Sequence, residues 1–343
     1  MSDDLSRLQN KLGATLASLR SAADVDFGCS EKDAVYHEDK LTLYRYRAIA
    51  PRSSTPPLLI VYALVNRPYM MDLQPDRSVI RRLLELGLDI YLIDWGYPDG
   101  ADRFVDLNDY INGYIDRCAR HIAEAHALPS INMLGVCQGG TFSLCYTALH
   151  PRRVRNLITM VTPVDFHTPE NLLSKWVREL DVDALVEAHG VVPGDVLNAA
   201  YISLMPFRLL QQKYVNMIDI ADNQAQMDNF VRMEKWIFDS PAQAGAAFRQ
   251  FASWFFQENR LIRGILDIGG QHVDLRRIHQ PVLNIFGTQD HLVPPSASRP
   301  LQALTSSADY TAMELNIGHI GMYVSGRSQK EMPQAIAAWL AQR

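Results

Sequence analysis

The sequence lacks a run of the roughly 18 apolar residues that a bilayer-spanning helix needs. Its longest apolar run, 57–65, is only as long as a strand. It also lacks a basic excess, since 33 lysines and arginines stand against 38 aspartates and glutamates. The resulting net charge of −5 leads us to expect no nucleic-acid partner. Four cysteines in 343 residues are too few for a disulfide scaffold, and free thiols are expected.

The first twenty residues are polar and charged, without the apolar core of a signal peptide. We therefore expect a cytoplasmic protein without a transmembrane segment. Leucines recur at helical spacing over 5–20, which predicts a helical segment within 1–30. The content of 48% hydrophobic and 21% charged residues is typical of a folded globular chain.

Strand-like and helix-like segments alternate along much of the chain. Strands are predicted at 41–49, 57–65, 89–96, 130–136, 155–164, 281–287 and 310–316, and helices at 75–87, 107–127, 141–150 and 329–343. Such alternation predicts right-handed βαβ units and a mostly parallel sheet.

One long segment breaks this alternation. Residues 165–280 have helical periodicity and few strand signals. We therefore predict an α/β core in two parts, 31–166 and 276–343, interrupted by a helical cap at 167–275.

Residues 135–140, GVCQGG, join a predicted strand to a predicted helix. This is the setting of a nucleophile elbow, with Cys137 in place of the usual serine. The glycines permit the sharp turn, and the helix dipole favours the Cys137 thiolate over the thiol. The backbone N–H of Gln138 would form half of an oxyanion hole, and that of Val65 the other half.

Two further residues complete a candidate triad in the order that this kind of site requires. Asp290 follows the predicted strand 281–287, and His319 follows the next strand. His319 would act as the base, while Asp290 would fix its tautomer and stabilise the imidazolium. His291, beside Asp290, is interpreted as a supporting residue.

Each candidate also has a purely structural interpretation. Cys137 could be a buried thiol, Asp290 a turn residue and His319 a surface histidine of a loop. The flanking glycines and the chain order favour the triad. Cys118 and Cys145 lie within predicted helices and are interpreted as core residues. The Cys and His positions show no paired ligand spacing, so no metal site is predicted.

Nine segments carry motifs of one known family: LLIVYALVNRPYMMD (58–72), YLIDWGYPD (91–99), DYINGYIDRC (109–118), LGVCQGGTFSLCY (134–146), TMVTPVDF (159–166), QKYVNMID (212–219), NFVRMEKWIFDSP (229–241), NIFGTQDHLVPP (284–295) and GHIGMYVSGRS (318–328). On these segments the chain resembles the catalytic subunit of class III polyhydroxyalkanoate (PHA) synthases. The resemblance runs from about residue 30 to 330. The G-x-C-x-G box, joined to YALVNRPY and DHLVP, separates this family from general hydrolases.

The resemblance implies an α/β-hydrolase fold and an acyltransferase that polymerises short-chain (R)-3-hydroxyacyl-CoA into polyester with release of CoA. It implies that Cys137 carries the chain as a thioester and that His319 activates this cysteine. It assigns Asp290 to activation of the 3-hydroxyl, directly or through His319. It also implies a PhaE-type second subunit, a homodimer, a position at the PHA granule surface, and no cofactor besides the acyl-CoA substrate.

Other functions remain open at this point. A dienelactone-type cysteine hydrolase or an acyl-CoA thioesterase would share the Cys–His–Asp set, although dienelactone hydrolases are usually smaller and lack so large a cap. A non-catalytic granule-coating or partner-binding protein would fit the fold, but the intact triad argues against it. Class IV synthases, which have a different partner subunit, are close relatives. Fold analogy alone does not decide among these.

Overall fold

The computed structural model describes residues 26–204, 213–220 and 222–343. The helix predicted at 5–20 lies outside these residues. No helix in the described part of the chain is both long and apolar enough to cross a membrane.

A central sheet of eight strands organises the molecule. The strands are β1 (Lys32–Glu38), β2 (Leu41–Tyr46), β3 (Leu58–Val61), β4 (Ile90–Asp94), β5 (Ile131–Val136), β6 (Val154–Met160), β7 (Val282–Gly287) and β8 (Tyr310–Leu315). Their order is β1-β2-β4-β3-β5-β6-β7-β8. Strand β2 pairs antiparallel with β1 and β4, and every other pair is parallel. The predicted mostly parallel sheet is confirmed.

Helices cover both faces of the sheet, which explains why the middle strands are continuously apolar. Every residue of β3, β5 and β7 is buried, as expected for strands packed on two sides. Outside the long segment between β6 and β7, the helices are α1 (Val79–Glu85), α2 (Asp116–Ala125), α3 (Gln138–Leu149), α10 (Pro295–Ser298), α11 (Leu301–Leu304), α12 (Gly321–Val324) and α13 (Gly326–Leu340).

Two large apolar clusters lie on the two faces. One contains residues of α2 and α3, including Cys118 and Phe142, and the other contains residues of α1 and α13, including Leu83 and Trp339. A π-helix at Asp109–Ile115 leads directly into α2. The long region predicted as one helix at 107–127 is thus two helical segments of different winding.

In its described residues, the segment between β6 and β7 carries six further α-helices, α4 (Leu172–Arg178), α5 (Val182–His189), α6 (Gly194–Leu204), α7 (Lys213–Ile220), α8 (Gln224–Phe238) and α9 (Gly245–Phe251). It also holds four strands of two residues each, at Val191–Val192, Gln243–Ala244, Asp267–Ile268 and Gln271–His272. Helices α5, α6 and α9 contribute to a small apolar cluster of their own. This segment is called the cap below.

Candidate active site

Cys137 lies at a sharp turn between β5 and α3. Strand β5 ends at Val136, helix α3 begins at Gln138, and Cys137 between them has φ +53° and ψ −121°. A positive φ is costly for a residue with a side chain, so such strain persists where the surrounding structure over-determines it. The turn presents the Cys137 side chain at the N-terminus of α3, as the elbow pattern predicts.

Two glycines after Cys137 let the turn pack against the sheet. A side chain at Gly139 would collide with the carbonyl oxygens of Val61 and Tyr62, at the end of β3. A side chain at Gly140 would collide with Thr162, just after β6. The turn is therefore wedged between two neighbouring parts of the sheet, which explains the glycine pair at the start of α3.

Asp290 is held on both of its carboxylate oxygens. It follows β7 in the chain and is buried. Its Oδ1 accepts hydrogen bonds from the backbone N–H groups of Leu292 and Val293, both at 2.9 Å. Its Oδ2 lies 2.7 Å from Nδ1 of His319. The carboxylate is thus fixed with one oxygen directed at the histidine.

His319 connects Asp290 to Cys137. It follows β8, is buried, is hydrogen-bonded to Asp290, and lies close enough to the Cys137 side chain for the two to interact electrostatically. Burial favours the neutral ring, but the charges and hydrogen bonds of Asp290 and Cys137 outweigh burial and raise the His319 pKa from 6.5 to about 10. The predicted triad residues therefore lie in one line, in which Asp290 is hydrogen-bonded to His319 and His319 neighbours Cys137.

The proposed oxyanion groups lie at the start of α3 and in the loop after β3. The Gln138 side-chain oxygen accepts a 3.0 Å hydrogen bond from the backbone N–H of Leu64, which joins these two segments. Neither the backbone N–H of Gln138 nor that of Val65 has a hydrogen-bond acceptor among the described residues. Both backbone donors are thus left for a ligand oxygen.

Three tyrosines near Cys137 are absent from the sequence-based candidates. The rings of Tyr62 and Tyr323 have centroids 6.2 Å apart, and the Tyr323 ring lies edge-on to His319 with centroids 6.0 Å apart. Tyr201 comes from α6 of the cap. Burial, and then the neighbouring Cys137, raise the pKa of Tyr62 and Tyr201. Of these three, only Tyr62 is marked by a sequence pattern, because it lies in the apolar run predicted as the strand 57–65.

The remaining candidates lie apart from this line. His291 is exposed in the loop after Asp290, and its supporting role stays a prediction. Cys118 and Cys145 are fully buried in α2 and α3, as expected for core residues. Chemically, the arrangement provides a thiol nucleophile, a base oriented by a carboxylate, and two free backbone donors, which together suit acyl transfer.

Two family models match the chain. One, described as the alpha/beta hydrolase fold, matches residues 56–324. The other, described as the poly-beta-hydroxybutyrate polymerase (PhaC) N-terminus, matches residues 1–83.

Curated proteins resemble the chain over nearly its full length. The poly(3-hydroxyalkanoate) polymerase subunit PhaC of Allochromatium vinosum is 59% identical, with 97% of this chain and 94% of that protein covered. The subunit of the same name from Thiocystis violacea is 55% identical, with 97% and 94% covered. That of Synechocystis is 49% identical, with 93% and 86% covered.

Solved structures resemble the fold at low sequence identity. A monoacylglycerol lipase from Paleococcus ferrophilus has a TM-score of 0.52 at 17% identity, covering 88% of this chain and 98% of that one. A metagenome-derived lipolytic enzyme has a TM-score of 0.54 at 13% identity, covering 85% and 96%. These similarities support the α/β-hydrolase fold.

Proposed function

The chain belongs to the family of poly(3-hydroxyalkanoate) polymerase PhaC subunits, and on that premise we propose how this enzyme forms polyester. Cys137 is the nucleophile that carries the acyl chain as a thioester. His319 takes and returns the proton, and Asp290 orients His319. The backbone N–H groups of Val65 and Gln138 stabilise the oxyanion. The substrates are short-chain (R)-3-hydroxyacyl-CoA thioesters such as 3-hydroxybutyryl-CoA.

The observation that carries this proposal is the arrangement at the strand-to-helix turn, where His319 is hydrogen-bonded to Asp290 at 2.7 Å and lies close enough to Cys137 for the two to interact electrostatically. His319 is placed to accept the proton of the Cys137 thiol, because Asp290 holds its ring in position and stabilises the imidazolium. The thiolate is the reactive form of cysteine. The arrangement therefore supports a cysteine that His319 activates by accepting its proton.

In the first step, the Cys137 sulfur attacks the carbonyl of the acyl-CoA. A new thioester forms, the bond to CoA breaks, and the CoA sulfur leaves with the electron pair and takes the proton from His319. One thioester replaces another, so the step is nearly isoenergetic and the acyl group stays activated. A serine nucleophile would already have formed a stable oxoester at this stage.

In the second step, the 3-hydroxyl of another hydroxyacyl unit attacks the Cys137 thioester. Its proton passes to His319, an oxoester forms, and Cys137 leaves as the thiolate. This step is downhill because an oxoester replaces a thioester. Both steps pass through an oxyanion, which the two backbone donors would bind.

Asp290 acts through His319 in this scheme. Its side chain is fully buried, one oxygen accepts two backbone N–H groups and the other faces His319. No oxygen is left to reach a substrate hydroxyl. The family resemblance allows Asp290 to activate the 3-hydroxyl directly or through His319. This arrangement favours the role through His319.

The cap is proposed to exclude water from the thioester. Water competes with the 3-hydroxyl, and a water-excluded site shifts the outcome from hydrolysis to polymer. Tyr201 of α6 supports this role, because it brings a cap side chain into the surroundings of Cys137. We assign the cap to 167–275, between core parts 31–166 and 276–343.

The assembly and location follow from the family and are part of the proposal. We propose that the chain works as a homodimer with a PhaE-type second subunit at the surface of cytoplasmic PHA granules. No cofactor is needed in this scheme, because the CoA thioester already supplies the activated acyl group.

The test is incubation with (R)-3-hydroxybutyryl-CoA, with and without a co-purified second subunit, while CoA and product are followed together. We expect CoA release with insoluble polymer. Cys137→Ala should lose at least about a thousand-fold in rate, and Cys29→Ser should not. Release of CoA with only free 3-hydroxybutyrate would indicate a thioesterase or hydrolase. No CoA release even with the partner would refute the proposed substrate class.

A further inference from the structure

Asn66 occupies an unusual position beside the proposed oxyanion hole. It follows Val65 directly and has φ +57°, in the left-handed region that few residues with side chains adopt. Such a conformation costs of order 1 kcal/mol or more and needs support from its surroundings. The support at this position comes from the side chain of Asn66 itself.

The Asn66 side chain binds the C-terminal end of cap helix α8. Its Nδ2 donates to the carbonyl oxygens of Trp236 and Ile237, each at 3.2 Å, and to Oγ of Ser240 at 2.8 Å. Carbonyls in the last turn of a helix have no partner within the helix. Asn66 therefore caps α8 from the core side, across about 170 residues of sequence.

Two more hydrogen bonds extend this contact. The indole Nε1 of Trp236 donates to the carbonyl oxygen of Arg67 at 2.9 Å. The Ser240 hydroxyl donates to Oδ1 of Asn198 at 2.6 Å. Asn198 lies on α6, the helix that carries Tyr201. The loop after β3 is thus joined to both cap helices that lie near Cys137.

Val65 is consequently held from two sides. On one side, the N–H of Leu64 is bonded to the side chain of Gln138 in the core. On the other side, Asn66 is bonded to the cap. The direction of the Val65 N–H depends on both contacts, because a peptide unit turns with the dihedrals of its neighbours.

We infer that Asn66 is a positioning residue that couples the cap to the oxyanion hole: its hydrogen bonds to α8 hold the Val65 N–H in the direction that the oxyanion requires. When the cap moves away, these bonds break and the strained loop can relax. The catalytic site is then complete only beneath a seated cap. This inference rests on the proposed role of Val65 in acyl transfer.

Two variants of Asn66 separate the side-chain contacts from the backbone conformation. Asn66→Gly keeps the left-handed conformation accessible but removes the amide donors. Asn66→Asp keeps the size of the side chain and its tolerance of positive φ, but directs a carboxylate at acceptor atoms. Trp236→Phe removes the return bond to Arg67, together with part of the buried ring, and leaves position 66 itself unchanged.

The matched control is Asn259→Gly. Asn259 also has a positive φ of 51° and is buried. Its side chain accepts from the N–H of Phe166 and donates to Asp165, at 3.0 and 2.8 Å. Asn259 is therefore the same residue type as Asn66 with a similar positive φ, and its contacts do not involve the loop after β3 that carries Val65.

Two rates are compared in each variant. The first is the single-turnover release of CoA from (R)-3-hydroxybutyryl-CoA, which passes through an oxyanion. The second is the alkylation of Cys137 by iodoacetamide, with the modified residue located by peptide mass spectrometry. In this reaction the Cys137 sulfur attacks a saturated carbon, so no oxyanion hole is needed. A loss of fold or of the Cys137–His319 pair slows both reactions, whereas a misplaced Val65 donor slows only the first.

We expect Asn66→Gly and Asn66→Asp to slow CoA release about 100-fold, mainly through kcat, with alkylation changed less than about threefold. Trp236→Phe should give a smaller loss of the same kind, and Asn259→Gly should leave the ratio of the two rates at the wild-type value. Equal losses in both rates, or unchanged CoA release, would overturn the inference while leaving the proposed function intact. A wild-type protein that releases no CoA would refute the proposed function first.

Discussion

His319 is a histidine whose protonation is set by two neighbours against the effect of its own burial. Burial alone would lower its pKa below 6.5, whereas Asp290 and Cys137 raise the pKa to about 10. In a Cys137→Ala variant, Asp290 is the one of these two neighbours that still raises the His319 pKa. The contribution of the carboxylate can therefore be measured in a Cys137→Ala background.

We predict that His319 in Cys137→Ala still titrates above 6.5, and that adding Asp290→Asn moves its pKa below 6.5, because burial then dominates. NMR titration of ring-labelled histidine follows this directly, with His319→Gln identifying the signal. A pKa that does not move on loss of the carboxylate would contradict the role assigned to Asp290.

The pKa of His319 also determines how stability depends on pH. A raised folded-state pKa adds stability that is complete below pH 6.5 and is lost as the pH rises through the folded-state value. In Cys137→Ala, the unfolding free energy should fall above pH 6.5, by at most about 1.4 kcal/mol per pH unit. The Asp290→Asn double variant should lack this decline. Urea melts at a series of pH values compare the two, since other titrating groups contribute equally to both.

At the scale of elements, the junction of β3, β5 and α3 depends on the absence of a side chain at Gly139. An added methyl group would meet the backbone oxygens of Val61 and Tyr62, which cannot swing aside as a flexible side chain could. The end of β3, which precedes the loop that carries Val65, would have to shift.

We predict that Gly139→Ala lowers the unfolding free energy by roughly 2 to 3 kcal/mol, and that it impairs CoA release beyond the loss of folded protein. Gly326→Ala is the matched control. Gly326 begins α13, and a methyl group there meets no atom within 4 Å. That substitution should be neutral or stabilising by up to about 1 kcal/mol. Equal effects of the two substitutions in denaturant melts would refute the packing argument.

Much of the sheet could be predicted because its middle strands are buried on both faces and therefore read as continuous apolar runs. Strand β1 (Lys32–Glu38) was not predicted, since it is an edge strand whose residues are exposed or half-buried and show no clear pattern. Helix α3 begins at Gln138 rather than at 141, because Gly139 and Gly140, which usually favour turns, serve close packing here.

The candidate site was predicted only where a local pattern marks the chemistry. Cys137, Asp290 and His319 each follow a strand, so the topology alone brings them to one edge of the sheet. Tyr201 and Asn66 could not be predicted in this way. Their relevance depends on how the cap is placed against the core, and no local spacing encodes contacts between residues so far apart in the sequence.

At the scale of the whole molecule, the cap is joined to the core by a carboxylate at the end of α8. Asp239 accepts hydrogen bonds from the hydroxyl of Tyr69 at 3.0 Å and from that of Tyr97 at 2.7 Å. Both tyrosines belong to core loops, after β3 and after β4. Asp239 thus attaches the cap to two segments of the core, next to the hydrogen bonds made by Asn66.

Loosening this attachment should change what the enzyme makes and should also slow CoA release, because the oxyanion hole is proposed to be complete only beneath a seated cap. Hydrogen bonds to a charged group contribute about 1.5 to 3 kcal/mol, so Asp239→Ala should shift the seated cap toward an open state by at least roughly ten-fold. Water then reaches the Cys137 thioester, and we predict a several-fold rise in free 3-hydroxybutyrate per CoA released. Tyr69→Phe, which removes one of the two bonds, should lie between Asp239→Ala and the wild type. Asp183→Ala, which breaks only an exposed ion pair with Arg249 inside the cap, should leave the product ratio unchanged. If Asp239→Ala gives the wild-type ratio of polymer to free acid, exclusion of water is not the role of the cap.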